Sequence, residues 1–226
     1  MASERAILFD LDGTLADTAG DLALALNRVR ASRDLAPIDP APLRAHASSG
    51  ARGLLQAGMG VTRDAPDYEA LRLAFLAHYE QCLAETSQLF EGVAELLDAL
   101  EARGLRWGIV TNKAARYTVP VSSALGLLRR AHGIVCGDTT PHPKPHPAPL
   151  LLAAQALAVE PSRCIYVGDD LRDVEAGRAA GMQTLVADWG YLGGEVPASA
   201  WPADGRLDTP LAVLGWVGGR PTGRAP

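Results

Sequence analysis

The chain has 226 residues, 48% of them hydrophobic, and a formal net charge of -5, which suits one good core or a core with a small second domain. A sequence pI of about 5.5 and the lack of a basic stripe argue against a nucleic-acid partner, and no apolar run is long enough to span a bilayer. The start, Met1-Ala2-Ser3-Glu4-Arg5, leads into no long apolar run, so no signal peptide is read and a cytoplasmic location is expected.

Ala6-Ile7-Leu8-Phe9 is a short apolar run of the kind that forms a buried strand, and it stops at Asp10-Leu11-Asp12-Gly13-Thr14-Leu15. Residues 21–32 carry Leu22, Leu26 and Val29 at helical spacing, and Pro37, Pro40 and Pro42 break that pattern. The stretch 43–59 reads as one or two short helices around Ser48-Ser49-Gly50-Ala51-Arg52-Gly53. Pro66 suits a helix start, and Tyr68, Leu71, Phe75, Tyr79 and Cys82 follow on one stripe as far as Glu85. Residues 18–88 therefore read as all helical, with no strand candidate.

Beyond Leu89-Phe90-Glu91-Gly92 the pattern alternates. Val93, Leu96, Leu97 and Leu100 make a helical stripe ended by Gly104, and the strand candidate 105–110 runs into Thr111-Asn112-Lys113. A helix over 115–125, a short strand over 133–136 and a Pro-rich loop holding Lys144 come next. Then follow a helix over 148–158 and the strand Cys164-Ile165-Tyr166-Val167, ending in Gly168-Asp169-Asp170. A helix over 174–180 and a last strand over 184–187 close the series. The tail beyond Trp201 is rich in Pro and Gly, with 211–217 as one last packed segment and 218–226 loose. The three cysteines, Cys82, Cys136 and Cys164, are far apart and odd in number, and read as reduced packing residues.

Strands alternating with helices imply an α/β fold with parallel strands and right-handed crossovers, and such sheets bind ligands beyond the carboxyl ends of their strands. The polar clusters fall there: Asp10 and Asp12, Thr111 and Asn112, Asp169 and Asp170. Positions i and i+2 of an extended chain point to one side, so Asp10 and Asp12 can face one spot. Charges that close repel, and a hard cation such as Mg²⁺, which takes oxygen ligands, would relieve the repulsion. Gly13 permits a sharp turn, and Thr14 can satisfy loose backbone groups in it. Thr111 offers a hydroxyl and a backbone N–H to a phosphate oxygen. Prolines on both sides of Lys144 stiffen the backbone, so its ammonium can be aimed. Asp169 is best placed for the ion, and Asp173 can orient a metal-bound water or Lys144. His142 and His146 are four apart, but the prolines between them forbid a helix, and a zinc site is set aside.

Asp10-Leu11-Asp12-Gly13-Thr14, Thr111 closing an apolar strand, Lys144 before Pro145, and Gly168-Asp169-Asp170 with Asp173 together resemble the four ordered motifs of haloacid dehalogenase-like phosphatases. The resemblance implies a Rossmann-like parallel core over 1–17 and 90–226 and an all-helical cap domain over 18–89, with hinge strands near 15–18 and 89–92. It implies Asp10 as nucleophile and Asp12 as the acid and base. Mg²⁺ would be held by Asp10, the backbone carbonyl of Asp12, and Asp169. Thr111, Asn112 and Lys144 would stabilise the transferring phosphoryl group. Arg52, in a Gly-flanked loop of the cap, is the candidate substrate contact. Within the family the chain looks most like phosphoglycolate phosphatases, with the N-acetylmuramic acid 6-phosphate phosphatases as the alternative and a phosphomutase as a more distant one. A small-molecule phosphate ester is the expected partner, and oligomeric state is not readable.

Overall fold

The computed structural model describes residues 5–194 and 196–218. Its sheet is built from β1 (Ala6–Phe9), β4 (Arg106–Val110), β5 (Ile134–Val135), β6 (Cys164–Gly168), β7 (Gln183–Ala187) and β8 (Gly205–Leu207). These six strands run parallel in the order β5-β4-β1-β6-β7-β8. All four residues of β1 are buried, which is why it is apolar at every position instead of alternating. The register sets Phe9 opposite both Ile109 and Val167. Strands β1, β4 and β6 therefore end level, and Asp10, Thr111 and Asp169 leave the sheet along one edge.

Alternation along β1 divides the core between the two faces of the sheet. Ile7 and Phe9 pack with Trp107, Ile109, Ile165 and Val167 against Val93, Leu96, Leu97 and Leu100 of α5 (Val93–Ala102). Phe9 and Trp107 meet edge-on, their ring centroids 6.4 Å apart. Ala6 and Leu8 face Leu150, Ala153 and Ala154 of α7 (Ala148–Ala156) on the other side. Each fully buried leucine on these faces stabilises the fold by about 1.5–3 kcal/mol.

Two short strands, β2 (Ala16–Asp17) and β3 (Gln88–Leu89), pair antiparallel outside the main sheet. Between them in sequence lie α1 (Ala19–Ala31), α2 (Pro40–Leu43), α3 (Gly50–Met59) and α4 (Tyr68–Glu80). These helices have a hydrophobic cluster of their own, with Leu22, Leu26, Leu54, Leu55 and Phe75, closed by Tyr117 and Tyr191 from outside the insert. Asp21, fully buried on α1, accepts hydrogen bonds from the backbone N–H and the hydroxyl of Thr86, each at 2.7 Å, and so ties the helices to the strand pair.

The structure corrects several expectations. The strand over 184–187 is not the last, because β8 pairs beyond β7 within the Pro- and Gly-rich tail. Gln88 belongs to a strand. The helical pattern does break before the prolines, α1 ending at Ala31; Pro40 then occupies the first turn of α2, where its missing N–H is no loss, and Asp39 caps it by accepting from Ala41 N. The stripe of α4 stops at Glu80, and not at Glu85. Segment 211–217 does pack, as a 3₁₀ turn over Pro210–Val213 followed by α9 (Leu214–Val217), with Val213 in the core. Gly218 is exposed, and the rest of the tail expected to be loose, residues 219–226, lies outside the described residues. Cys82, Cys136 and Cys164 are buried free thiols. No helix among the described residues is long and apolar enough to cross a membrane.

Candidate active site

Asp10 is placed by the ladder itself: its N–H donates to Val167 O at 2.9 Å, continuing the β1–β6 pairing one residue past the strand. Its carboxyl accepts from Leu11 N at 2.8 Å, and the residue as a whole is 9% exposed. The chain then turns, with Gly13 N bonded to Ala16 O at 2.9 Å and Gly13 at φ +83°. A Cβ on Gly13 would collide with the Asp169 carboxyl, so both conformation and space require glycine. The expectation that the Thr14 side chain satisfies the turn backbone is corrected: its hydroxyl donates to Asp169 Oδ1 at 3.1 Å.

Lys144 is fixed from β4. The Asn112 amide clamps it, donating to Lys144 O and accepting from Lys144 N, both at 2.9 Å. Its ammonium reaches Asp173 Oδ1 at 2.6 Å, Tyr166 Oη at 2.8 Å, Asp10 Oδ1 at 3.0 Å and Val110 O at 3.0 Å. One amide N–H and the amide oxygen of Asn112 hold Lys144, which leaves the second amide N–H as a donor on a residue that lines the cavity above this sheet edge. The expectation for Thr111 is corrected in part. Its N–H is used by Val135 O in the sheet, while its Oγ1 accepts from Lys113 N at 3.2 Å and keeps its own proton to donate.

Asp170 and Asp173 build a reciprocal capping box at the start of α8 (Leu171–Ala179), which holds Asp173 beneath Lys144. Asp170 is paired with Arg172 through contacts of 2.7 and 2.8 Å, and that guanidinium also donates to Ser48 O in the insert at 2.7 Å. Asp169, fully buried, accepts from Tyr191 N at 3.0 Å and Ser48 Oγ at 3.3 Å.

Carboxylate oxygens of Asp10, Asp169 and Asp173 lie within 4.8 Å of one another, all three buried. Burial pushes the Asp10 carboxyl up to about 7; the Lys144 charge opposes this, and Asp173 and Asp12 add to it. Burial, then the charges of Asp10 and Asp173, hold the Asp169 carboxyl well above its ordinary range. For Lys144 burial disfavours the charge, yet Asp10 and Asp173 outweigh it and raise the ammonium. One ammonium does not balance three buried carboxyls, and an all-oxygen donor set of this kind fits a hard divalent ion such as Mg²⁺. The cluster adds Asp173 to the expected Asp10 and Asp169, while the expectation for Asp12 concerns its backbone carbonyl. The Asp12 side chain turns away, its Oδ1 taking the Thr18 hydroxyl and Lys113 Nζ, the latter at 2.6 Å.

A cavity of about 260 Å³ opens above this edge, lined by Asp10, Asp12, Thr111 and Lys144 below and by insert residues above. Arg52 is not among them. It lies on the first turn of α3, not in a loop, and is exposed, so the structure does not place it against a ligand in this cavity. The cations that do line it besides Lys144 are Lys113 and Arg172, neither of them singled out as a site residue from sequence because only the fold turns their side chains to the cavity. Tyr166 and Tyr191 were missed for the same reason. The sequence signal was present only for Lys113 and Arg172, which adjoin the Thr111-Asn112 and Asp169-Asp170 clusters. The rings of His142 and His146 stand 4.8 Å apart, so the prolines do not separate them, but among the described residues no third histidine, cysteine or carboxylate completes a metal set there.

The haloacid dehalogenase-like hydrolase family model matches residues 7–187. The chain is 43% identical over 210 residues to the N-acetylmuramic acid 6-phosphate phosphatase of Pseudomonas aeruginosa, covering 93% of each. It is 43% identical over 210 residues to the phosphoglycolate phosphatase of Xanthomonas campestris pv. campestris, covering 93% of this chain and 95% of that protein. A predicted phosphoglycolate phosphatase from Haemophilus somnus has a crystal structure that superposes with a TM-score of 0.81 at 28% identity, covering 95% of this chain and 98% of that one. The chain belongs to the haloacid dehalogenase-like hydrolase family, and within it is a phosphatase.

Proposed function

We propose that this phosphatase is a Mg²⁺-dependent phosphomonoester hydrolase that works through an aspartyl-phosphate. The observation that carries the reading is the convergence of Asp10, Asp169, Asp173 and Lys144 at one sheet edge beneath a single cavity. Asp10, Asp169 and the backbone carbonyl of Asp12 would hold Mg²⁺, with Asp173 beside them. Bound there, the ion would offset the carboxylate charge and polarise a phosphoryl oxygen.

The chain's own residues perform the transfer. An Asp10 carboxylate oxygen attacks phosphorus and the bond to the ester oxygen breaks. Asp12 gives that oxygen a proton, and the alcohol leaves. Lys144 and the Thr111 hydroxyl hold the equatorial oxygens while charge spreads over them, and the Asn112 clamp keeps the ammonium in place. Asp12 then takes a proton from a water that attacks the aspartyl-phosphate, releasing inorganic phosphate and restoring Asp10.

Residues 18–89 act as a lid over a core of residues 1–17 and 90–226. Supporting this are the separate hydrophobic cluster of the helices, the β2–β3 pair at their base, and the reach of Ser48 across to Asp169 and Arg172. A closed lid excludes water from the first step. The substrate is a small phosphorylated metabolite, with phosphoglycolate the first reading. N-acetylmuramic acid 6-phosphate is the second, favoured by a relative of equal identity. The test is inorganic phosphate release with Mg²⁺ from both compounds and from hexose phosphates. Release that stops on chelation and in Asp10→Asn is expected. Transfer between sugars without free phosphate would point to a mutase instead, and no turnover of any ester would contradict the proposal.

A further inference from the structure

The two lysines that line the cavity meet different carboxylates. Lys144 lies against Asp10 and Asp173, where the phosphoryl group is transferred. Lys113 lies against Asp12, the residue placed to protonate the leaving oxygen, and its ammonium sits 5.0 Å from the ring centroid of Tyr79 on α4. An ammonium has three N–H donors, and only one meets a carboxylate here. Lys113 therefore stands on the leaving-group side, with donor capacity to spare.

Two phenols share that wall. Tyr79 is 2% exposed and Tyr117 5%, their ring centroids are 5.4 Å apart, and both line the cavity. Neither hydroxyl has a partner in good hydrogen-bond geometry, although Lys113 lies close to Tyr79 and Arg116 close to Tyr117. A buried hydroxyl without a partner destabilises the fold, so two side by side make an unfilled donor pair. Phe75 and Leu76 supply an apolar surface beside them.

We propose that Lys113, Tyr79 and Tyr117 form a subsite for a carboxylate carried by the substrate's alcohol portion. This rests on the phosphatase reading above, and deepens it. One ammonium with two neutral O–H donors matches a monoanion with two acceptor oxygens. A second phosphate group matches less well, because the cavity's guanidinium, Arg172, is already tied to Asp170 and to Ser48 O. The apolar surface of Phe75 and Leu76 suits an alcohol that also carries methyl or ring carbons. The substrate class is thus a phosphomonoester of a hydroxy acid, with a sugar acid filling more of the site than a two-carbon acid.

Matched pairs test this: N-acetylmuramic acid 6-phosphate against N-acetylglucosamine 6-phosphate, and phosphoglycolate against ethyl phosphate. Fructose 1,6-bisphosphate is added as the double-phosphate arm. The wild type is expected to prefer the carboxylated member of a pair by at least about thirtyfold in kcat/KM. Tyr79→Phe and Tyr117→Phe should each cut that ratio about tenfold, chiefly through KM. Calorimetry on Asp10→Asn protein should show N-acetylmuramic acid binding and N-acetylglucosamine not. Equal rates within each pair, a preference for the bisphosphate, or variants that lower both members alike would overturn the subsite. Hydrolysis of p-nitrophenyl phosphate separates the two claims. If it proceeds with Mg²⁺ while the carboxylate preference is absent, only the subsite fails; if it too is absent, the phosphatase mechanism fails with it.

Discussion

Replacing Asp10 with asparagine should abolish turnover and, without divalent ions, make the protein more stable. Asp10 as a whole residue is 9% exposed and its carboxyl pKa rises from 3.8 to about 7, by burial first and by Asp173 and Asp12 next, against the opposing charge of Lys144. A carboxyl whose folded pKa lies above its unfolded value favours the fold when protonated. That stability is fully present below about pH 4 and is lost as pH rises through about 7. At about 1.4 kcal/mol per unit the ceiling is about 4 kcal/mol, and relaxation around the group leaves about 1–3 kcal/mol. Asparagine keeps the shape and removes the charge, while Lys144 retains Asp173 at 2.6 Å. For a chain of this size the gain is about 2–10 °C in Tm at pH 8. Thermal unfolding with a chelator should show the gap between variant and wild type widening from pH 5 to pH 8 and levelling above about 7. Saturating Mg²⁺ should shrink or reverse it, because the wild type binds the ion more tightly. A variant less stable than wild type at pH 8, or a gap independent of pH, would refute the argument.

Lys144→Met leaves Asp10 and Asp173 without their cation, and should cost about 3–5 kcal/mol by urea unfolding at pH 8 together with at least a hundredfold loss of kcat. That stability cost should shrink at pH 5, where the carboxyl of Asp10 is protonated. Asp21→Ala removes the buried acceptor shared by Thr86 and Ser87 and should lower stability by about 1–3 kcal/mol, measured by the same unfolding, and loosen the insert from the strand pair. Arg52→Ala should change KM less than about twofold for every substrate, since surface changes of this kind fall within ±0.5 kcal/mol; a tenfold rise for one substrate would return Arg52 to the site.

The parts legible in sequence were those with a local physical signature. β1, β4 and β6 are buried on both faces, so they read as unbroken apolar runs, and the polar residues that end them had to lie at one edge of a parallel sheet. β8 had no such signature. Its three residues include Gly205 and Arg206, and only pairing with β7 makes them a strand. Asn112, Thr14 and Asp12 were read as residue types near the reaction, but their hydrogen-bond partners are more than local. Asn112 is committed to Lys144, 32 positions away, and Thr14 to Asp169, 155 positions away. Asp173 entered the carboxylate cluster because a capping box aims it, a geometry that sequence spacing permits but does not impose. The glycines flanking Arg52 suggest a loop in the sequence. Instead they start and pack helix α3, where Gly53 is buried and would clash with Ser49 if it carried a Cβ.

The central claim is that Asp10 becomes covalently phosphorylated during turnover. It is tested most directly by acid-quenching a steady-state reaction with ³²P-labelled substrate and Mg²⁺, then mapping the label by peptide mass spectrometry. The label should sit on the peptide carrying Asp10, chase into inorganic phosphate, and be missing from Asp10→Asn. Label on another residue, or turnover with no labelled protein at any quench time, would contradict the mechanism.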